Sequence, residues 1–170
     1  MDEDNLIKLI KEKLIARENT KDSVVYQHYG QIETPPNTSL FKKCRTLEIS
    51  HVSIQLMNEL YRFEKTPWTD WIFTGLSYQT LFYFEINYFI LPFIPWQMLI
   101  EWPVEFMISN QKICSFQERT LTRSMIAKLP DDVILVKMKQ QKLTEEATEF
   151  IRNKKIKVIE RSNQSCIWEE

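Results

Sequence analysis

Four stretches of the sequence repeat apolar residues at the spacing of an amphipathic helix, namely 4–17, 50–63, 115–129 and 144–153. In the first stretch the apolar stripe needs a surface to pack against, and its members are Leu6, Leu9, Ile10 and Leu14. Each stretch begins with a side chain that can cap a first turn, respectively Asp4, Ser50, Ser115 and Thr144. The spacing of Ser115 and Glu118 also fits a capping box. We therefore predict four helices with these bounds.

Patterns typical of β-strands separate these helices. Aromatic and β-branched residues dominate 70–76 and 79–91, and Gly75 and Ser77 favour a hairpin at that point. Further strands are predicted at 102–108, 133–138 and 156–160. The last third of the chain thus alternates strand, helix and strand, which is typical of a parallel crossover. The predicted fold class is α/β or α+β, a mixed β-sheet with helices packed on it.

The stretch 18–39 shows no sustained periodicity and contains Gly30 and the pair Pro35-Pro36. Such a stretch is typical of a linker. We predict an N-terminal helix and linker arm over 1–38 and a single α/β domain over 39–170.

Composition narrows the function classes. With 44% hydrophobic residues the 170-residue chain can bury a sizeable core. A formal net charge of -1 excludes the strong positive field of general nucleic-acid binders. The sequence contains two glycines, Gly30 and Gly75, which excludes glycine-rich phosphate loops and dinucleotide fingerprints. No cofactor is predicted.

Targeting signals are not visible in the sequence. The N-terminus is acidic and is followed by lysines, so we expect no signal or transit peptide. The uncharged run 86–100 contains Pro92 and Pro95 and is shorter than the ~20 residues that a membrane span needs. We expect an intracellular protein, nuclear or cytoplasmic, without a membrane partner.

Side chains suited to catalysis are few. The three cysteines form no metal-binding or disulfide spacing and are expected to be inert thiols: Cys44, Cys114 and Cys166. The two histidines are expected in a loop and near a helix start: His28 and His51. Asp131 and Asp132 follow a proline and favour a turn over a metal site. We predict no catalytic residues and no metal; the alternative is a small hydrolase in which these histidines or aspartates converge on a pocket.

Binding is the function class that the aromatic residues favour. The predicted strand 79–91 is apolar on both faces, so a single domain has difficulty covering it. Exposed aromatic patches of this kind usually mark a partner surface. The predicted interface consists of Trp71, Phe73, Phe82, Tyr83, Phe84, Tyr88 and Phe89. The alternative is a central strand that is fully buried.

A local excess of basic residues lies in 137–161, where eight basic side chains oppose four acidic ones. This excess could contact RNA phosphates, although the solvated face of ordinary helices and strands explains it equally. The candidate RNA contacts are Lys137, Lys139, Lys142, Lys154, Lys155 and Lys157.

One group of motifs suggests a family. Its parts are Phe41, Leu47-Glu48-Ile49 before a helix, Trp68-Thr69-Asp70 entering a strand, Pro103 in a strand, the helix 115–129 and the strand 133–138. In these positions the chain resembles the small non-catalytic subunit of the eukaryotic tRNA-splicing endonuclease. The C-terminus departs from that family, because it has neither the Tyr-Tyr pair nor the following glycine.

The resemblance implies a nuclease-like α/β fold and a nuclear structural subunit that pairs with a larger protein in a complex that removes introns from precursor tRNA. We therefore expect a non-catalytic structural subunit of an intracellular RNA-processing complex. The alternative is a protein-interaction scaffold in another intracellular complex, without an RNA role.

Overall fold

Two sets of β-strands organise the fold, one in residues 1–84 and one in residues 85–170, and each set forms its own compact unit. The computed structural model describes residues 3–162, with side chains from residue 4 onward. Cys166 lies outside the described residues. The domain boundary predicted after residue 38 stays a prediction, because compact packing alone does not test which segments fold independently.

The first unit combines helices with a parallel sheet. Its helices are α1 (Glu3–Asn19), α2 (Leu40–Lys43), α3 (Ile54–Tyr61) and α4 (Pro67–Ser77). Its strands are β1 (Lys21–Val25), β2 (Gln27–His28), β3 (Gln31–Ile32), β4 (Thr46–Ser50) and β5 (Leu81–Glu85). The sheet runs in the order β1, β4, β5 with parallel neighbours, while β2 and β3 form a short antiparallel hairpin.

The core of this unit is centred on β4. Leu47 and Ile49 of β4 and Phe82 and Phe84 of β5 are completely buried, and they alternate with more exposed residues along each strand. This alternation directs one face of the two strands into the core, because successive side chains of a strand point to opposite faces. Strand β4 has a hydrogen-bonded neighbour on either side, so its backbone is satisfied within the sheet.

The linker predicted over 18–39 is wrong for 21–25, which form β1. Lys21 pairs with Thr46 and Val25 pairs with Ser50, in parallel with β4. The strand escaped prediction because most of its side chains are exposed, so no apolar alternation marks it.

The strand predicted over 70–76 is also wrong, because these residues lie in α4. The hydroxyl of Thr66 accepts a hydrogen bond from the Thr69 amide at 3.3 Å, and the Thr69 hydroxyl accepts one from the Thr66 amide at 2.9 Å. This reciprocal capping box, followed by Pro67 in the first turn, fixes the helix start. Local start signals therefore override the strand propensity of the aromatic residues.

The helix predicted from Ser50 begins later than expected. Ser50 is the last residue of β4, and Ser53 caps α3 by accepting a hydrogen bond from the Leu56 amide at 3.3 Å. The existence of this helix is confirmed, and its predicted start was three residues too early.

The second unit combines four helices with a second set of strands within the described residues. The helices are a 3-10 helix (Tyr88–Phe93), α5 (Trp96–Glu101), α6 (Arg123–Ala127) and α7 (Glu145–Lys154). The strands are β6 (Val104–Ile108), β7 (Gln111–Cys114), β8 (Thr120–Leu121), β9 (Ile134–Met138), β10 (Lys142–Leu143) and β11 (Lys157–Arg161). Here the strand order is β6, β7, β9, β11, while β8 and β10 pair separately.

A tight turn joins β6 to β7. Ser109 and Asn110 have φ angles of 50° and 65°, so both turn residues adopt the left-handed conformation. Two such residues form the turn type whose twist matches an antiparallel hairpin. The pairing of Met107 with Lys112 and of Ile108 with Gln111 follows from this turn.

The end of the described chain follows the sequence prediction closely. Strands β9 and β11 are parallel neighbours joined by α7, and the Thr144 hydroxyl caps that helix by accepting a hydrogen bond from the Ala147 amide at 3.2 Å. Lys155 ends α7 in the left-handed conformation. The predicted fold class, a mixed α/β fold with an N-terminal helix, is confirmed.

The strand predicted over 79–91 ends at Glu85. The Asn87 carboxamide accepts a hydrogen bond from the Phe89 amide at 3.0 Å, and this contact starts the 3-10 helix that contains Pro92. An Asn cap followed by a proline is incompatible with a continuous paired strand.

The helix predicted over 115–129 is observed only over Arg123–Ala127 (α6), and the predicted capping box at Ser115 does not form. The carboxamide of the buried Gln141 donates hydrogen bonds to the carbonyls of Phe116 and Glu118, at 2.6 and 2.7 Å. A helix starting at Ser115 would need these carbonyls for its own hydrogen bonds. A contact distant in sequence therefore keeps 116–118 out of the helix.

We predict that Gly75→Ala destabilises the first unit. A Cβ at Gly75 would collide with the Phe82 ring and would lie 2.8 Å from Cε1 of Phe41, and both rings are fully buried. Overpacking of this kind costs about 1–3 kcal/mol. Urea unfolding should show this loss for Gly75→Ala, whereas Ser77→Ala at the exposed end of α4 should stay within about 0.5 kcal/mol of the wild type. Equal stability of the two variants would contradict the tight packing.

Candidate interaction surface

Helix α1 presents an apolar surface to solvent. Every described side chain from Asp4 to Ala16 is exposed. Six of these side chains are large and aliphatic, with exposed fractions between 41% and 62%: Leu6, Ile7, Leu9, Ile10, Leu14 and Ile15. We refer to these six residues as the α1 stripe. An exposed apolar set of this size on one element is typical of an interaction surface.

The α1 stripe was only partly predicted from the sequence. The helical spacing identified Leu6, Leu9, Ile10 and Leu14 and their need for a packing surface, but it did not show that this surface would be missing in the monomer. The role of Arg17 was not predicted. The available signal was its position as a basic residue in the last turn of the predicted helix.

Arg17 fixes the carboxyl end of α1 within the first unit. Its Nε donates a hydrogen bond to the Phe41 carbonyl at 2.8 Å, and its Nη2 donates one to the Tyr78 carbonyl at 2.6 Å. The Arg17 carbonyl accepts a hydrogen bond from the Arg45 amide at 3.1 Å, and the Arg45 guanidinium forms an ion pair with Glu18. Polar contacts thus hold the end of a helix whose apolar side chains remain exposed.

Three of the predicted interface residues lie in the core. Trp71 is 4% exposed, while Phe82 and Phe84 have no exposed surface. The Trp71 ring packs against Phe41 with a centroid distance of 4.7 Å and against Phe82 at 5.8 Å. Phe82 and Phe84 are therefore buried in a strand, as in the alternative, and Trp71 is buried on helix α4.

The other four predicted interface residues are at least partly accessible. Phe73 and Tyr83 are half-buried in the first unit, and the Phe73 ring stacks on that of Phe63 at 5.6 Å. Tyr88 and Phe89 are exposed in the second unit, on the 3-10 helix. The predicted set does not form one strand face, and its role at an interface stays a prediction.

The candidate RNA-contact lysines divide into two groups. The Lys137 ammonium forms a 2.7 Å ion pair with Glu160, and the Lys154 ammonium forms a 2.9 Å ion pair with Asp131. Each lysine donates a hydrogen bond to its carboxylate and lowers the pKa of that group. The remaining members are exposed, and they are Lys139, Lys142, Lys155 and Lys157. Contact with RNA stays a prediction for them.

Residues considered for catalysis do not assemble into a metal site. Within residues 3–162 no group of three or more histidine, cysteine or acidic side chains is arranged to hold a metal ion. His28 lies on the β2–β3 hairpin next to Tyr29, while His51 has a positive φ of 56° just after β4. Asp131 is paired with Lys154, and Asp132 accepts a hydrogen bond from the Gln111 carboxamide.

The two described cysteines are free thiols, and their environments suit the neutral form. Burial raises the pKa of Cys44, to which the charge of Asp22 adds. Burial also raises the pKa of Cys114. Because the thiolate is the nucleophile, a raised pKa lowers thiol reactivity at neutral pH.

Membrane spanning can be assessed for the helices between residues 3 and 162. None of them combines the length and the apolar character that crossing a bilayer requires.

The fold and the α1 stripe define a mixed α/β protein with an exposed apolar helix. A family model matches residues 5–157, which is most of the chain. The chain therefore belongs to the PDU-like family, whose description reads "Putative propanediol utilisation". Neither a curated protein nor a solved structure matches the chain.

The resemblance to the tRNA-splicing endonuclease subunit is consequently wrong, and so are the tRNA-processing and nuclear assignments that came with it. The structure explains why the motif did not identify the family. Trp68-Thr69-Asp70 lies in the first turn of α4, whereas the resemblance required these residues to enter a strand.

We predict that Arg17→Ala loosens α1 without unfolding the protein. The substitution removes the two hydrogen bonds to the Phe41 and Tyr78 carbonyls, but the exposed stripe contributes little packing to the first unit. Amide hydrogen exchange in 4–19 should accelerate about tenfold, while the free energy of unfolding should fall by less than about 1.5 kcal/mol. Lys13→Ala, which removes an exposed cation from the same helix, is the control. Unchanged exchange in Arg17→Ala would contradict the anchoring role.

Proposed function

We propose that this protein is a protein-interaction subunit in propanediol utilisation and that α1 is its docking element. The family description supplies the process. The observation that carries the interaction role is the exposure of the α1 stripe on a helix whose end is fixed by Arg17.

The physical argument concerns the stability of α1. In proteins most of the stability of a helix comes from tertiary packing of an apolar face and not from its intrinsic propensity. The α1 stripe is exposed along the whole helix, so the first unit provides little of that packing. Burial of one half-exposed aliphatic side chain contributes about 1 kcal/mol, so a partner covering the stripe would gain several kcal/mol and would also stabilise the helix.

A scaffold role agrees better with the charges than an RNA role does. Lys137 and Lys154 are already paired with carboxylates, and the formal net charge of the chain is -1. Salt-dependent phosphate binding relies on several basic side chains that act together. We therefore propose docking of proteins and include no RNA function.

The test compares substitutions of two isoleucines whose side chains are similarly exposed in the wild type. Ile10 of the α1 stripe is 49% exposed, and Ile32 on the β2–β3 hairpin is 47% exposed. In a strain of the native host that lacks the gene, wild type and Ile32→Asp should restore growth on propanediol, whereas Ile10→Asp should not. In a docking face the carboxylate of an aspartate loses its hydration and gains no hydrogen bond or ion pair in return. This loss weakens binding about tenfold or more.

Two controls make this comparison decisive. Circular dichroism of the purified variants should show that both remain folded, and growth on an unrelated carbon source should be equal for all strains. Restoration of growth on propanediol by Ile10→Asp would contradict the docking role of α1. Normal growth of the strain that lacks the gene would contradict a role in propanediol utilisation.

A further inference from the structure

We infer that the α1 stripe docks onto the α1 helix of a second copy of this chain, with the two helices antiparallel. This inference rests on the proposed role of α1 as a docking element. It adds the identity of the partner.

The spacing of the α1 stripe fits a helix pair. Ile7, Ile10 and Leu14 follow one another at intervals of three and four residues, which places them on one seam of the helix. With Ile7 of one copy opposite Ile10 of the other, the two-fold relation places Ile10 of the first opposite Ile7 of the second. The centre of the pair is then formed by four isoleucines, and Leu6 and Leu14 extend it on either side.

The charges beside this seam are complementary in the antiparallel arrangement. Asp4 and Lys11 are seven residues apart, so they lie two turns apart on the same flank of the helix, and both are exposed. In the register just described Asp4 of each copy lies near Lys11 of the other, which gives two equivalent ion pairs. A different partner would need a basic side chain opposite Asp4 and an acidic one opposite Lys11, whereas a second copy already carries both.

The parallel arrangement is disfavoured for two reasons. In a parallel pair the acidic side chain next to Lys13 would be Glu18 of the other copy, but Glu18 already forms an ion pair with Arg45. The contacts of Arg17 also place the body of the first unit at the carboxyl end of α1. Parallel helices would bring two bodies to the same end, whereas antiparallel helices of 17 residues separate them by a helix length of about 25 Å.

A lipid surface is a poorer match for the same helix. From Glu3 to Asn19 four basic side chains are balanced by four acidic ones, so α1 carries no net charge. Helices that lie on anionic membranes are usually rich in lysine and arginine on their polar face.

The experiment is a charge exchange between Asp4 and Lys11, measured on the full chain by sedimentation velocity over a range of concentrations. Wild type should dimerise. Asp4→Lys alone and Lys11→Glu alone should each raise the dimer dissociation constant about tenfold, because each replaces two attractive contacts with two repulsive ones. The double variant Asp4→Lys/Lys11→Glu should recover affinity to within about threefold of the wild type.

A mixture of the two single variants provides the sharpest readout. One partner then has lysine at both positions and the other has an acid at both, so both contacts are attractive across a heterodimer. Mixing should therefore restore dimers that neither single variant forms at the same concentration. Circular dichroism and hydrogen exchange of 4–19 verify that α1 remains helical in each variant.

Several results would overturn the inference. They are a wild type that stays monomeric at about 100 μM, single variants with unchanged affinity, and a mixture that does not recover dimers. Binding of the monomer to phosphatidylglycerol vesicles without dimerisation would likewise replace the second copy with a membrane.

The outcomes for the two proposals can be separated. If the wild type is monomeric but Ile10→Asp abolishes growth on propanediol, the docking role stands and the second copy is excluded. If the charge exchange behaves as expected but Ile10→Asp supports growth, the dimer stands and the proposed function fails.

Discussion

The parallel pairing of β4 with both β1 and β5 is the constraint on which the first unit depends. Strand β4 carries the buried Leu47 and Ile49, and neither of its edges is open to solvent because a strand pairs along each of them. Pairing with β1 has a consequence beyond the sheet. Because a single residue separates the end of α1 from the start of β1, the position of the edge strand determines where the exposed helix leaves the body.

The contrast between the anchor and the stripe explains how an exposed apolar helix is tolerated. Arg17 gives its hydrogen bonds to two backbone carbonyls, so the end of α1 is held by polar contacts that do not require the stripe to be buried. Charged residues are interspersed along the helix, and mixed surface charge of this kind favours solubility. An element of this kind has low local stability, which is the common property of segments that change state on binding.

Sequence reasoning succeeded where local signals agree with the fold. In α7 the Thr144 cap, the acidic first turn and the basic last turn all indicate the same helix, and the flanking β-branched strands leave no competing interpretation. It failed at Trp71 and Phe73, because the strand propensity of aromatic residues was given more weight than the Thr66-Pro67 start signal. At 116–118 the decisive contact comes from Gln141, which lies more than twenty residues away.

The candidate surface was predictable only in part for a related reason. Periodicity shows that Leu6, Leu9, Ile10 and Leu14 share a face, but whether a face is covered depends on tertiary packing that a single sequence does not reveal. The hydrogen bonds of Arg17 join residues 24 and 61 positions apart, and its position in the last turn of a helix does not indicate which carbonyls it reaches. The family, in turn, could not be obtained from short motifs, since the Trp-x-Asp of this chain lies in a helix and not before a strand.

The junction between α1 and β1 is a single residue, Thr20, whose amide and hydroxyl both donate hydrogen bonds to α1. The Thr20 amide donates to the Arg17 carbonyl at 3.1 Å, and the Thr20 hydroxyl donates to the Ala16 carbonyl at 2.7 Å. A flexible tether would let a bound partner sample many orientations, whereas a junction without slack transmits the direction of the helix to the sheet. The direction of α1 relative to the sheet of the first unit is therefore set at Thr20, and a partner bound to α1 would take its orientation from that sheet.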